Sequence, residues 1–226
     1  MIPWQHLDTA DVPGGGEKLR LKRRGDEFSI MLGSNELMNS RVSGSEVALA
    51  ELATARLADR PRARMLIGGL GMGFTLRAAL AGLGPEAEVT VAELVPAVVA
   101  WAKGPMAAVF LGCLDDPRVE IREADVGALI ASARKAYDAI LLDVDNGPDG
   151  LTRPSNDALY DRKGLRAAWT ALAPGGLLAV WSSAPDETFG KRLSNAGFAV
   201  EETRARANRP GRGARHVIWI ATKPAD

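Results

Sequence analysis

Apolar and polar residues alternate through the first forty positions, whereas helical spacing interleaved with short apolar runs governs the rest of the chain. In "VPGGGEKLRLKRRGDEFSIMLGSNELMNS" the turn formers Gly14 to Gly16, Gly25-Asp26 and Gly33 to Asn35 separate short alternating segments. Alternation between turn signals is the mark of half-buried strands, and it predicts a small antiparallel unit of two or three strands. The basic cluster Lys18 to Arg24 reads as the solvated face of those strands. From Ser45 the period changes. "SEVALAELATARLADRP" places its apolar residues at helical spacing, with Ser43 or Ser45 as a cap, Glu46 in the first turn and Pro61 as the stop.

Strands and helices then alternate. "RMLIGG", "AEVTVAELV", "RVEIREAD", "YDAILLDVD" and "LLAVWSSA" read as strands, and "VPAVVAWAKG", "VGALIASARK", "RKGLRAAWTALAPGG" and "DETFGKRLSNAGF" as helices. "AVEETRARA" and "HVIWIATK" form a closing hairpin around "NRPGRG". This order predicts an α/β fold, a doubly wound and mostly parallel sheet with helices on both faces. An antiparallel C-terminal hairpin and the small N-terminal β unit complete it. The boundary between the two parts falls between residues 44 and 45.

Composition narrows the chemistry. Apolar residues make up 46% and charged residues 25%, ordinary for a globular chain, and 28 basic residues balance 28 acidic ones. Nothing in that balance calls for nucleic acid or an anionic membrane. The single cysteine, Cys113, excludes an internal disulfide framework and a multi-cysteine zinc site. No metal is expected, and Cys113 is a poor nucleophile candidate with only His6 and His216 as possible bases. No apolar stretch approaches the ~20 residues of a membrane span. The N-terminus has polar residues where a signal peptide would be apolar. A cytoplasmic protein acting on a small molecule is the expectation.

The residues "MLIGGLGMGFTLR", Met65 to Arg77, put four glycines between a strand and a helix. Such a turn lets backbone approach a ligand, and the helix offers free N–H groups. Glu93, about twenty residues on at the end of the next strand, stands where a carboxylate can accept hydrogen bonds from ribose hydroxyls. Asp125 and Asp143 end the third and fourth strands, so three acids should converge on the crevice at the carboxyl ends of the sheet. A dinucleotide fingerprint wants a glycine inside the helix, which is missing here. A nucleoside with a sulfonium tail fits better.

The chain resembles the class I S-adenosylmethionine-dependent transferases, and among them the spermidine synthases (polyamine aminopropyltransferases). The resemblance runs from about Ser45 to Ser183 and rests on "GLGMGFTLR", "VAELVPAVVAWAK", "DDPRVEIREADVGALI", "YDAILLDVDNGP" and "LAPGGLLAVWSS". It implies a Rossmann-like adenosyl donor domain over residues 45–226, with Glu93 on the ribose, Asp125 on the adenine amine and Val126 beside the ring. Gly69, Gly71 and Gly73 would line the nucleoside and its amino-acid side. Asp143 would stand between donor and acceptor. The resemblance also implies S-adenosylmethionine or its decarboxylated form as co-substrate, and a homodimer.

The chain departs from the family where the reaction is decided. Met72 replaces the acid that the family places beside the donor's ammonium, and Asn146 replaces a second acid after Asp143, with Asp145 one residue early. Upstream, Asn39 and Glu46 are the polar candidates for the acceptor site. A neutral residue at position 72 would relieve repulsion against an intact methionyl carboxylate, worth about 1 kcal/mol or more in a partly buried site. Methyl transfer from S-adenosylmethionine to a small molecule is therefore the leading expectation. Aminopropyl transfer, with Asp143 as base and Asp145 as amine holder, is the alternative, and a non-catalytic nucleoside-binding dimer is the third reading. Asn39, Asp145 and Asn146 are the acceptor-binding candidates. The loop Asp145 to Asn156 is a candidate lid.

Overall fold

A computed structural model describes residues 2–144, 154–208 and 212–225. The chain opens with β1 (Gln5–Asp11), β2 (Lys18–Arg24), β3 (Glu27–Leu32) and β4 (Asn35–Asn39), which form an antiparallel four-stranded sheet in that spatial order. Alternation predicted two or three of these strands. The first escaped because QHLDTAD is an edge strand exposed along almost its whole length, with no buried face to set a period. In β2, Leu19 and Leu21 are buried while the basic residues between and beyond them remain at or near the surface.

The larger part alternates as its pattern suggests: α1 (Gly44–Ala55), β5 (Arg64–Gly68), α2 (Phe74–Gly82), β6 (Glu88–Glu93), α3 (Pro96–Lys103), a short α4 (Ala107–Phe110), β7 (Val119–Glu123), α5 (Val126–Ser132) and β8 (Tyr137–Leu142). After the undescribed residues come α6 (Pro154–Tyr160), α7 (Arg162–Ala171), β9 (Leu172–Ser182), α8 (Glu187–Asn195) and the hairpin β10 (Ala199–Asn208) and β11 (Arg212–Thr222). The seven strands lie in the order β10-β11-β9-β8-β5-β6-β7, with β11 running opposite to the other six. The fold is thus a mixed α/β sheet with an antiparallel hairpin and a small N-terminal sheet. Helices α1, α2 and α3 cover one face through Leu49, Leu76 and Val99, where Leu21 and Ile30 of the small sheet join the same core. Helices α5, α7 and α8 cover the other face through Ile130, Leu165 and Phe189.

Three boundaries differ from the sequence reading. Helix α1 ends at Ala55, well before Pro61, and Ser43 occupies its N-cap position without a side-chain hydrogen bond. Pro174 and Gly175, read as the end of a helix, belong to β9. The residues after β11 draw them into the sheet: Lys223 N donates to the Gly176 carbonyl at 2.8 Å and Gly175 N to that of Pro224 at 3.2 Å. Pro154 to Asn156, assigned to the candidate lid, begin α6, a start that suits proline because its missing N–H needs no partner there.

Sequence direction reverses between β5 and β8. The chain runs outward from β5 through β6 to β7, then returns to place β8 on the other side of β5. A crevice opens at the carboxyl ends of parallel strands at such a point, and the loops after β5, β6, β7 and β8 all meet there.

Candidate active site

Backbone conformation explains the glycines between β5 and α2. Gly69, Gly71 and Gly73 have φ of 89°, 51° and 75°, values that favour glycine. A Cβ on Gly69 would collide with the carbonyl of Asp143, and one on Gly73 would come within 2.6 Å of the Phe110 ring, whereas one on Gly71 would meet only Met38 Sδ at 3.4 Å. Gly69 therefore lets the β5 and β8 loops touch, and Gly73 seats the start of α2 on α4. Gly69 and Gly71 line a cavity of about 230 Å³, which Gly73 does not reach.

Glu93, Asp125, Val126 and Asp143 line the same cavity. Glu93 is 8% exposed. Its carboxylate oxygens accept hydrogen bonds from Val95 N at 2.9 Å and Leu70 N at 3.0 Å. Burial pushes this carboxyl above its ordinary range, against the opposing effect of the backbone donors. Those bonds tie the β6 end to the glycine loop. Asp125 caps α5 through Oδ1, which accepts from Gly127 N at 2.6 Å and Ala128 N at 3.4 Å. The N-terminal unit closes the cavity with Val12 and Gly15 from the β1–β2 connection and with Leu37 and Met38 from β4.

A second cavity of about 130 Å³ adjoins the first, sharing Leu37, Met38, Gly71, Asp143 and Val144. Asp143 stands at the junction. Its Oδ2 accepts from the Thr75 hydroxyl at 2.7 Å. Burial lifts this carboxyl to about 7, and the charge of Glu46 adds to the effect while Thr75 opposes it. Glu46, in the first turn of α1, lines the second cavity with Met72, Phe74 and Trp181. Its own carboxyl is also raised by burial, against a 2.7 Å hydrogen bond from Ser45 Oγ.

Met72 borders that second cavity yet is only 4% exposed and belongs to the core beneath. Asn39 also lines it, but its Nδ2 donates to Glu36 at 3.2 Å and its Oδ1 accepts from Arg41 N at 3.0 Å, so both polar ends already brace the end of β4. Asp145 and Asn146 lie outside the described residues. Cys113 lies outside both cavities, and burial pushes its thiol to about 11, which disfavours the thiolate a nucleophile requires. Thr75, Ser45 and His216 had no signal in the chain. Thr75 and His216 reach the site through contacts between distant segments, and Ser45 through its neighbour Glu46.

No family model matches the sequence. The chain is 32% identical over 196 residues to the polyamine aminopropyltransferase of Mycobacterium tuberculosis, covering 81% of this chain and 35% of that protein. It is 33% identical over 150 residues to polyamine aminopropyltransferase 1 of Streptomyces coelicolor, covering 63% and 27% respectively. It therefore spans about a third of the length of these curated relatives. In fold it is similar to the spermidine synthase of Thermotoga maritima, with a TM-score of 0.73 and 17% identity over 98% of this chain and 73% of that one. A probable spermidine synthase from Corynebacterium glutamicum gives a TM-score of 0.64 at 17% identity, over 96% and 79%.

These findings overturn methyl transfer as the leading expectation, since the relatives are aminopropyltransferases. The argument from Met72 failed because it treated one position alone. The cavity that Met72 borders also holds the carboxylates of Glu46 and Asp143, and two acids in an apolar cavity attract an ammonium and repel a carboxylate. By sequence over four fifths of its length and by fold over nearly all of it, the chain belongs to the spermidine synthase-like superfamily of the S-adenosylmethionine-dependent methyltransferase fold.

Proposed function

We propose that this protein transfers the aminopropyl group of decarboxylated S-adenosylmethionine to an aliphatic amine. The observation that carries this reading is the pair Glu46 and Asp143 in the small cavity, next to the larger cavity where Glu93 and Asp125 present carboxylates. In this reading Glu93 takes the ribose hydroxyls, Asp125 the adenine amine and Val126 one face of the base. Gly69 and Gly71 admit the sulfonium side of the donor. The acceptor amine enters beside Glu46, Asn39 and Trp181.

The chemistry is an in-line displacement. The amine nitrogen bonds to the terminal carbon of the aminopropyl chain as the carbon–sulfur bond breaks, and sulfur keeps the electron pair to leave as a neutral thioether. The nitrogen gives up one proton, for which Asp143 is the acceptor. A carboxyl held near 7 is suited to that work at neutral pH. Alignment of the two substrates across the shared wall supplies much of the remaining acceleration.

Residues 1–44 belong to this proposal as a separate unit that roofs the donor cavity. A homodimer is part of it as well, supported by the exposed edge strand β1. A cytoplasmic location is supported by the free thiol of Cys113. Among the described residues no helix is long and apolar enough to cross a membrane.

Calorimetry with the two donors tests the central claim. We expect the decarboxylated donor to bind at least about tenfold more tightly, a difference of about 1.4 kcal/mol. With a small aliphatic diamine present, the thioether nucleoside should be released. Equal binding of both donors, or preference for the intact one, would sink the proposal.

A further inference from the structure

His216, on the C-terminal hairpin, joins the site through a hydrogen-bonded chain. Its Nδ1 is 2.9 Å from Ser45 Oγ, and the Ser45 hydroxyl donates to Glu46 Oε2 at 2.7 Å. Ser45 is fully buried, so water does not compete for its hydroxyl. A hydroxyl has a single proton. If Ser45 donates it to Glu46, Ser45 can only accept from His216, and the imidazole must carry its proton on Nδ1.

The surroundings isolate this chain. The Trp181 ring packs edge-on against the imidazole with centroids 4.8 Å apart, and the residue paired with His216 across the hairpin is the neutral Ala205. Arg204, Arg206 and Arg215 flank that pair and alternate onto the opposite, exposed face. The Arg56–Glu201 ion pair, 2.7 Å, joins the far end of α1 to the start of β10. On the inward side, Glu46 from α1 and Asp143 from the end of β8 are the charged groups of the shared cavity. Burial lowers the imidazole below its ordinary range, which favours the neutral ring this arrangement uses.

We propose that His216, donating from Nδ1 through the Ser45 hydroxyl, is a positioning residue that holds Glu46 as a carboxylate in the amine cavity, so that Asp143 receives the amine proton. Two acids side by side do not both ionise readily, and a donor chain to one of them decides which stays charged. The glycine turn and the strand-end acids prepare the donor side. The acceptor side is prepared from outside that motif set, by the first turn of α1 and the last strand of the sheet.

The inference rests on the proposed aminopropyl transfer, but its first test needs no turnover. The chain has two histidines, so His216→Asn assigns the imidazole signals in a ¹⁵N spectrum of the full-length protein. We expect neutral His216 to be protonated on Nδ1, and Glu46→Gln or Ser45→Ala to move it to the Nε2 form. An Nε2 proton in the unsubstituted protein overturns the inference whatever the enzyme does. The second test is the pH dependence of kcat for aminopropyl transfer. His216→Phe should move the acidic limb to lower pH by about half a unit or more, since a protonated Glu46 no longer repels the Asp143 charge. It should also raise KM for the amine. His216→Asn, whose amide can donate to Ser45, should restore both, and a limb that stays in place in His216→Phe would overturn the inference.

Discussion

Thr75 Oγ donates to Asp143 Oδ2 at 2.7 Å, joining the first turn of the helix after the glycine loop to the carboxylate between the two cavities. This bond opposes the burial and Glu46 repulsion that raise Asp143 to about 7. Thr75→Val keeps the shape and removes the donor. Asp143 should then titrate higher still, and the acidic limb of kcat should move to higher pH, opposite to the shift expected for His216→Phe. Profiles of the two variants against the unsubstituted protein check the sign.

Asp143 should also weaken the fold at neutral pH. Its carboxyl is at about 7 in the folded chain against an ordinary value of 3.8, so between those values the folded state binds more protons than the unfolded one. Stability contributed by the protonated group is full below about 4 and falls as pH rises to about 7. Asp143→Asn should therefore be more stable than the parent by about 2 kcal/mol at pH 8 and equally stable at pH 4. Urea denaturation at both pH values reads this out, and transfer should fall at least about 100-fold.

The glycines of the turn should differ sharply in tolerance. Gly69→Ala drives a Cβ into the Asp143 carbonyl, while Gly71→Ala meets only the flexible end of Met38. We expect a loss of more than about 3 kcal/mol for Gly69→Ala and about 1 kcal/mol for Gly71→Ala, the latter from its positive φ alone. Gly71→Ala should still weaken donor binding, because the Cβ projects where the two cavities meet. Denaturation curves and donor calorimetry separate the two effects.

Glu93→Gln tests whether the acid proposed for the ribose is also a structural tie. Both carboxylate oxygens accept from backbone N–H groups, and an amide NH₂ in place of one oxygen would face a donor with a donor. A cost of about 1–3 kcal/mol should follow, together with weaker binding of adenosine.

Glu46→Gln should weaken the hold on the acceptor. Removing one of the two acids of the small cavity leaves an ammonium there with a single carboxylate partner. The KM for a small aliphatic diamine should rise by about tenfold, a loss of about 1.4 kcal/mol. Initial rates with the diamine varied at saturating decarboxylated donor measure it.

Local pattern was enough for the alternating core of this fold. Buried strands such as "RMLIG" and "YDAILL" carry apolar runs that few other arrangements accept, and the helices between them carry their own spacing. Strand-end acids were legible for the same reason: once β5 to β8 are parallel neighbours, Glu93, Asp125 and Asp143 can only fall at one edge of the sheet. The exposed β1, the recruitment of Pro174 into β9 and the end of α1 were not legible, because each depends on neighbours far along the chain.

The small cavity shows the same division more sharply. Nothing near Glu46 in the chain announces Asp143, and nothing near His216 announces Ser45, 171 positions away. Residue order specified the periodicity, the glycine turn and the acids at the strand ends, since these are short-range consequences of backbone geometry and side-chain chemistry. Folding alone brought Glu46 beside Asp143, enclosed both in apolar walls and raised the latter to about 7. Desolvation and charge repulsion act through space, so the meaning of Met72 depended on which carboxylates came to surround it.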